Sequence, residues 1–328
     1  MRIEAIMRAL ADPTRLRIVR LLHTMELAVG ELAQVLGQSQ PRVSQHAGKL
    51  CDAGLAERRR EGSWVFLRAV GGGASAPMVD ALSRLLAMAE KEDPDFALQC
   101  EADRQQLAAI RSSREAGAAQ WFSAHADDWD GLRKLHSPDT QVEDALTDAL
   151  GERAVGRLLD IGTGTGRMAE LFADRADHIV ALDKSLDMLR VARAKLQNLP
   201  ADRVELVQGD FAALPFAAQE FDTVLLHQVL HFAQEPARAL AEAARVTRPG
   251  GRIAIVDFDA HDREELRERL AHARLGFADA DMRDALQAAG FEPGRSSALS
   301  GGPLVVKIWL GTRQGGPVDA GKRVAAAR

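Results

Sequence analysis

Gly162, Gly164 and Gly166 follow the apolar run Leu158-Leu159-Asp160-Ile161 at alternate positions. Glycine accepts the backbone angles of a tight turn and lets main-chain N–H groups approach a ligand more closely than any side chain permits. The helix that follows would add its unsatisfied N-terminal donors. Asp183 closes a second apolar run, Ile179-Val180-Ala181-Leu182, roughly 20 residues further on. A carboxylate there can accept from both hydroxyls of a ribose, or it can simply cap the helix beginning beside Ser185. Asp210 follows a third run, where it can accept from an adenine amino group while Phe211 lies against the ring. The stretch His227-Gln228-Val229-Leu230-His231-Phe232 closes a fourth. His227, His231 and His261 are candidate bases, although an isolated histidine near a cleft serves more often as a structural hydrogen bonder. Cys51 and Cys100 are isolated, so neither a disulfide framework nor a thiolate metal site is expected.

These residues need a scaffold that brings strand ends together. From residue 121 onward, strands and helices alternate, the pattern of a mostly parallel sheet covered on both faces. Expected strands are Arg157–Ile161, Ile179–Leu182, Val204–Gln208, Thr223–His227 and Arg252–Asp257, with Phe291–Arg295 and Val305–Leu310 completing the sheet. Ligands in such sheets bind beyond the carboxyl ends of the strands, where the glycines, Asp183, Asp210 and His227 fall. A nicotinamide-dinucleotide fingerprint would place its third glycine at 167, where this chain has Arg167.

The first 70 residues are organised differently. Ile3, Ile6, Met7 and Leu10 predict a first amphipathic helix, and Asp12-Pro13 caps a second carrying Leu16, Val19 and Leu22 inward. Glu31–Leu36 reads as a short helix stopped by Gly37, and Ser39 as the cap of another beginning at Gln40. That is a helix-turn-helix by spacing. In its last helix Val43, Ala47 and Leu50 form the buried stripe, while Arg42, Gln45 and Lys49, with Ser44 and Gln40, face outward. Two strands then flank Glu61-Gly62-Ser63, with Arg58, Arg59 and Arg60 near the tip of a hairpin that can reach a phosphate backbone.

The charge distribution agrees with that division. The net charge is −5, yet residues 1–70 carry +4, a local basic footprint on an acidic chain. No stretch has the length and apolarity of a membrane span, no leader pattern is evident, and a cytoplasmic protein that binds no membrane is expected. Four segments follow: 1–70 as the DNA reader, 71–120 as a glycine-containing linker and helical connector, 121–314 as the ligand domain, and 315–328 as a disordered tail. In the connector, Met78, Leu82, Leu85, Leu86 and Met88 form a helical stripe that suits either a dimer helix or packing on the next domain.

Ala9–Ile18, Val29-Gly30-Glu31-Leu32-Ala33 and Ser39–His46 closely resemble the ArsR family of winged-helix repressors. The resemblance implies a mainly α winged helix with a β-hairpin wing, in a homodimer that binds double-stranded operator DNA and releases it when an effector binds. Metal-sensing members commonly carry cysteines in the helix that here reads Glu31–Leu36, and this chain has none there. Leu158–Gly166, Asp183, Gly209-Asp210 and Arg248-Pro249-Gly250-Gly251-Arg252-Ile253 together resemble class I S-adenosylmethionine-dependent methyltransferases, nearest to the small-molecule type of ubiquinone and menaquinone biosynthesis. That resemblance implies a Rossmann-like sheet of seven strands. It also implies S-adenosylmethionine or S-adenosylhomocysteine as the cofactor, with no metal.

Carried over by position, Asp160 orients the glycine loop and Gly162, Thr163, Gly164 and Gly166 approach the cofactor. Asp183 holds the ribose, Asp210 and Phe211 hold the adenine, His227 lies near the methionine moiety, and Lys184, Met188 and Gly209 are further cofactor-binding positions. Trp121-Phe122 and Asp128-Trp129-Asp130 fall where such enzymes place a lid. The whole chain resembles bacterial fusions of the two families, some of which are associated with control of the methionine cycle. Such a fusion is expected either to sense the cofactor or to methylate a small molecule and regulate its own operon. DNA as the acceptor is disfavoured, because His227-Gln228-Val229-Leu230 replaces the Asn/Asp-Pro-Pro-aromatic signature and no catalytic Pro-Cys pair is present.

Overall fold

The computed structural model describes residues 2–23, 26–61, 64–70, 76–125, 139–200 and 203–315. Gly62-Ser63 at the hairpin tip, glycines 71–73, Asp128-Trp129-Asp130 and the tail from 316 lie outside the described residues. The chain forms two compact units, Met1–Ala118 with Asp262–Glu264, and Ala119–His261 with Glu265–Arg328.

The first unit opens with α1 (Arg2–Leu10) and α2 (Pro13–Leu22). Asp12 caps α2 by accepting the Arg15 N–H at 3.1 Å, as its position before a proline predicts. Arg15 is itself 7% exposed, and its guanidinium donates to the carbonyls of Arg8 and Ala9 at the end of α1. The short strand β1 (Leu27–Ala28) leads into α3 (Val29–Leu36), which starts two residues earlier than the apolar pattern suggests. The Glu31 carboxylate accepts the Ala28 N–H at 2.8 Å and fixes that start. Gly37 ends α3 with φ +62°, a left-handed cap that suits glycine.

Next comes α4 (Gln40–Asp52), with Val43, Ala47 and Leu50 fully buried. Ser39 occupies the cap position of α4, but its side chain makes no capping hydrogen bond. β2 (Ala56–Glu61) and β3 (Trp64–Ala69) pair antiparallel, and β1 joins β3 through Leu27 and Ala28 to make a sheet of three strands. A two-residue strand is too short to leave a periodic signature, which is why the hairpin alone is legible beforehand.

α5 (Ala76–Glu92) and α6 (Pro94–His125) follow, with the Asp93 carboxylate accepting the N–H groups of Asp95 and Phe96 at the start of α6. Val79, Leu82, Leu86 and Leu107 join the winged-helix core. Ile3 and Met7 of α1, however, stand 42% and 58% exposed, and Leu85 and Met88 of α5 are each 59% exposed. The apolar stripes of both helices are therefore only partly spent on the core.

In the second unit the sheet order is β6-β5-β4-β7-β8-β10-β9. These strands are β4 (Gly156–Ile161), β5 (Ala176–Asp183), β6 (Val204–Gln208), β7 (Phe221–His227), β8 (Thr247–Phe258), β9 (Phe291–Leu299) and β10 (Val306–Arg313). All are parallel up to β8, whereas β10 runs antiparallel between β8 and β9. Consecutive side chains on β4 go to opposite faces, so both must be apolar. Leu158 joins α7 (Asp139–Leu150), α8 (Arg167–Phe172) and α9 (Leu186–Lys195) in one core. Leu159 and Ile161 join α10 (Pro236–Val246) and α12 (Asp279–Ala289) in the other. A short α11 (Glu265–Arg269) precedes α12. The chain leaves β4 toward β5 and β6 and later returns to β7 on the other side. The carboxyl ends of β4 and β7 thus frame the switch point where ligands of such sheets bind.

Candidate functional site

In the winged helix, Gln40, Arg42, Gln45 and Lys49 are exposed along α4 and Ser44 is half-buried beside them. Arg58 of β2 reaches the same helix and donates to the Ser44 carbonyl at 2.9 Å. Its guanidinium passes so close to Gly48 that a Cβ there would lie 3.3 Å from Nη2. A glycine inside a helix costs about 1 kcal/mol relative to alanine, and here it leaves room for Arg58. Arg59 is differently employed. It donates to both Glu26 carboxylate oxygens, at 3.1 and 3.3 Å, and lies over the Phe66 ring. Arg60 is exposed. The three wing arginines are therefore divided, with Arg58 on α4 and Arg59 neutralised by Glu26. His46, on the same helix, is held below its ordinary value: burial and the positive charges of Arg15, Arg42 and Lys49 outweigh Asp12.

In the second unit, hydrogen bonds link the strand ends into one continuous edge. The Gly162 and Thr163 N–H groups donate to the Leu182 carbonyl at 2.8 and 2.9 Å. The Thr163 hydroxyl donates to the fully buried Asp160 carboxylate at 2.6 Å. Gly162 has φ +69°, and a Cβ there would sit 2.3 Å from Val229 Cγ2. Glycine at 162 is thus required by Val229, from the loop after β7, as much as by any ligand. Gly164, at φ +54°, donates to Asp183 Oδ2 at 2.8 Å, and the Ser185 N–H donates to Asp183 Oδ1 at 2.8 Å. Both helix-side and loop-side roles of Asp183 are therefore present, and with the Lys184 N–H as a third backbone donor the carboxylate still keeps spare acceptor capacity. Burial pushes its carboxyl above the usual value, against those backbone bonds.

Gly209 donates to the Asp183 carbonyl at 3.0 Å, bringing Asp210 beside it. Lys184 Nζ lies 2.9 Å from Asp210 Oδ2, and Ala212 N–H binds Oδ1 at 2.8 Å. Burial works to raise the Asp210 carboxyl, and these two donors overcome it and hold it below its ordinary value. Phe211 is half-buried, Met188 is 2% exposed, and Gly166 opens α8 at φ +83°. Arg167 finds a use of its own, a paired contact with Glu143 of α7 at 2.6 and 2.8 Å.

The histidines separate. His227 ends β7 at 9% exposure, and the next residue, Gln228, has φ +52° with its N–H on the Val256 carbonyl at 2.7 Å. A non-glycine residue in that region is strained, and such strain concentrates at functional loops. His231 is 2% exposed, with Nδ1 2.8 Å from Asp257 Oδ1. His261 is half-buried, its ring 6.2 Å from that of Phe258. Asp257, His272 and Arg274 escape a reading of the sequence. Asp257 carries the same signal as Asp183, a carboxylate closing an apolar strand, while His272 and Arg274 sit in a segment without periodicity. The lid positions Trp121 and Phe122 fall within α6, and their side chains are outside the described residues. Among the described residues no group of three His, Cys, Asp or Glu side chains could hold a metal ion.

The fit to a nucleoside cofactor is carried by chemistry at adjacent strand ends. A glycine loop ends β4, a carboxylate with spare acceptor capacity ends β5, and a second carboxylate follows β6. Comparison with known proteins points the same way. Residues 12–58 match the family described as bacterial regulatory protein, arsR family, and residues 159–255 match the family described as methyltransferase domain. Demethylmenaquinone methyltransferase of Renibacterium salmoninarum is 40% identical over 113 residues, 34% of this chain and 46% of the relative. A ubiquinone/menaquinone biosynthesis C-methyltransferase of Roseobacter denitrificans is 34% identical over 155 residues, 45% of this chain and 62% of the relative. This chain spans about half the length of the curated relatives it matches. A chain in the complex between the Haloferax volcanii Trm112 methyltransferase activator and a methyltransferase aligns with 59% of this chain and 98% of its own length. Its TM-score is 0.51 at 21% identity, a likeness of fold.

Proposed function

From a chain that joins an arsR-family winged helix to a methyltransferase domain, we propose a DNA-binding transcriptional repressor whose second domain senses S-adenosylmethionine or S-adenosylhomocysteine. The observation that carries this reading is the presence, in one polypeptide, of an exposed polar face on α4 and a nucleoside-shaped edge on β4, β5 and β6. Gln40, Arg42, Ser44, Gln45 and Lys49 read the major groove, and Arg58 and Arg60 contact phosphates. The exposed Ile3, Met7, Leu85 and Met88 pack against a second copy, so that two α4 helices meet a palindrome. In the second unit Asp183 holds the ribose, Asp210 and Phe211 the adenine, and Gly162 to Gly166 the amino-acid portion. A ligand switches such a regulator only if it binds the DNA-competent and DNA-free states with different affinity.

A second reading is an active methyltransferase on a small molecule, with the winged helix regulating its own operon. The curated relatives, named for quinone methylation, favour it. Titration of the promoter duplex with each cofactor form, beside a methyl-release assay, separates the two. Cofactor-dependent DNA release without turnover supports the sensor, and turnover supports the enzyme. Asp183→Ala should lose cofactor binding by calorimetry while operator affinity in the absence of cofactor stays unchanged. Normal cofactor affinity in that variant would remove the ribose assignment.

A further inference from the structure

Beyond the carboxyl ends of β7 and β8, His231 ties several pieces of chain together. Its Nδ1 lies 2.8 Å from Asp257 Oδ1 and its N–H donates to Asp257 Oδ2 at 3.1 Å. Its carbonyl accepts from the Ala273 and Arg274 N–H groups at 3.0 and 2.9 Å. Its ring centroid lies 4.2 Å from that of His272, 4.0 Å from Phe232 and 5.0 Å from Phe258. Asp257 is fully buried, and Arg274, 3% exposed, directs its guanidinium to the Gln234 carbonyl at 2.9 Å. Among the described residues, the titratable side chains that meet the imidazole are Asp257 from β8 and His272 from the segment before α12, with Arg274 of that segment touching His231 through its backbone N–H.

A buried carboxylate at Nδ1 selects one tautomer. Asp257 accepts, so Nδ1 carries the proton and Nε2 carries the lone pair. That is how a carboxylate prepares an imidazole to take a proton: it fixes the ring and faces the imidazolium that forms. A histidine serving only to fill the core would need neither a fully buried carboxylate nor two bonds to it. The pair also stands one short turn beyond His227 and the strained Gln228, on the β7 side of the switch point.

We infer that His231, held by Asp257, is the proton acceptor for methyl transfer to a protic acceptor, one whose reacting oxygen, nitrogen or carbon carries a hydrogen that it must lose. The inference rests on the reading of the second unit as a methyltransferase. S-adenosylmethionine supplies a methyl group whose carbon–sulfur bond breaks with its electron pair left on sulfur as the acceptor's bond to carbon forms. The proton shed by the acceptor atom goes to Nε2, and Asp257 balances the resulting charge. Acceptors that need no base, such as thioethers and tertiary amines, would not require the pair.

His231→Asn is the informative variant, because its amide can keep the hydrogen bond to Asp257 while the basic nitrogen is gone. 4-Nitrophenol serves as a protic probe in the full-length protein complexed with S-adenosylhomocysteine. The wild type should show the phenolate absorption band at a pH where the free probe is mostly protonated, and His231→Asn should reduce that band by about tenfold. Methyl release to a protic acceptor that the wild type turns over should fall about 10²-fold in the same variant. Cofactor affinity should remain within about twofold of wild type, since no cofactor contact is removed. A phenolate band or transfer rate equal to wild type in His231→Asn, or no band in the wild type, overturns the inference. Normal S-adenosylhomocysteine binding by the wild-type chain in calorimetry without methyl release to any acceptor, base-requiring or not, would instead overturn the methyltransferase reading beneath it.

Discussion

At the scale of single residues, the glycine loop shows how a sequence signal can be legible while its cause is not. The alternation of Gly162, Gly164 and Gly166 announces a turn, and the structure places all three at positive φ. What the spacing cannot reveal is that the missing Cβ at 162 is demanded by Val229, a residue 67 positions away in sequence and adjacent only once β4 and β7 pair. Gly162→Ala should therefore destabilise the second unit by about 2–4 kcal/mol, from left-handed backbone and overpacking together. Adding Val229→Ala should recover the steric share, so that the pair costs less than the sum of the singles in denaturant melts. Strict additivity would mean that Val229 does not set the requirement. Asp257 and His231 show the same limit. Each side chain is ordinary by type, and only the neighbouring ends of β7 and β8 make them a pair.

At the scale of elements, periodicity located the strands and most helices because each buries one or two defined faces. Where side chains serve ion pairs instead, it gives the helix but not the helix's partner. α6 is the example: its charged surface gives little apolar pattern, yet Asp103, 2% exposed, receives Arg17 of α2 at 2.5 and 2.8 Å. Arg20 of α2 binds Glu90 of α5 at 2.6 Å, and Arg104 of α6 shares that carboxylate. Burial opposes ionisation of Glu90, and the two arginines overcome it and hold its carboxyl below the usual range. These contacts make the connector helices part of the winged-helix unit, with α6 fastened to α2 by charge as well as by Leu107. Asp103→Ala should cost about 3 kcal/mol, because it strands Arg17 in a largely buried position. Replacing both partners by apolar residues of similar size should restore most of that stability. Thermal melts of the single and double variants provide the comparison.

At the scale of the whole molecule, the exposed apolar residues Ile3 and Met7 of α1 and Leu85 and Met88 of α5 suit a covering partner surface. Under the proposed function the cover is a second copy of the chain. Leu85→Glu should then give a monomer in sedimentation and weaken operator binding by about 10²-fold or more, because two half-sites no longer engage together. A dimer that survives this change with full operator affinity would place the interface elsewhere.

The packing of Val229 against Gly162 also bears on time. A loop held in shape by its own protein neighbours need not fold around an incoming ligand, so arrival of a cofactor is governed by diffusion and orientation. Differences in occupancy between related ligands then reside mainly in how long each one stays. Under the proposed function, the delay between a change in cofactor level and a change in transcription would be set by the residence time of the molecule already in the cradle.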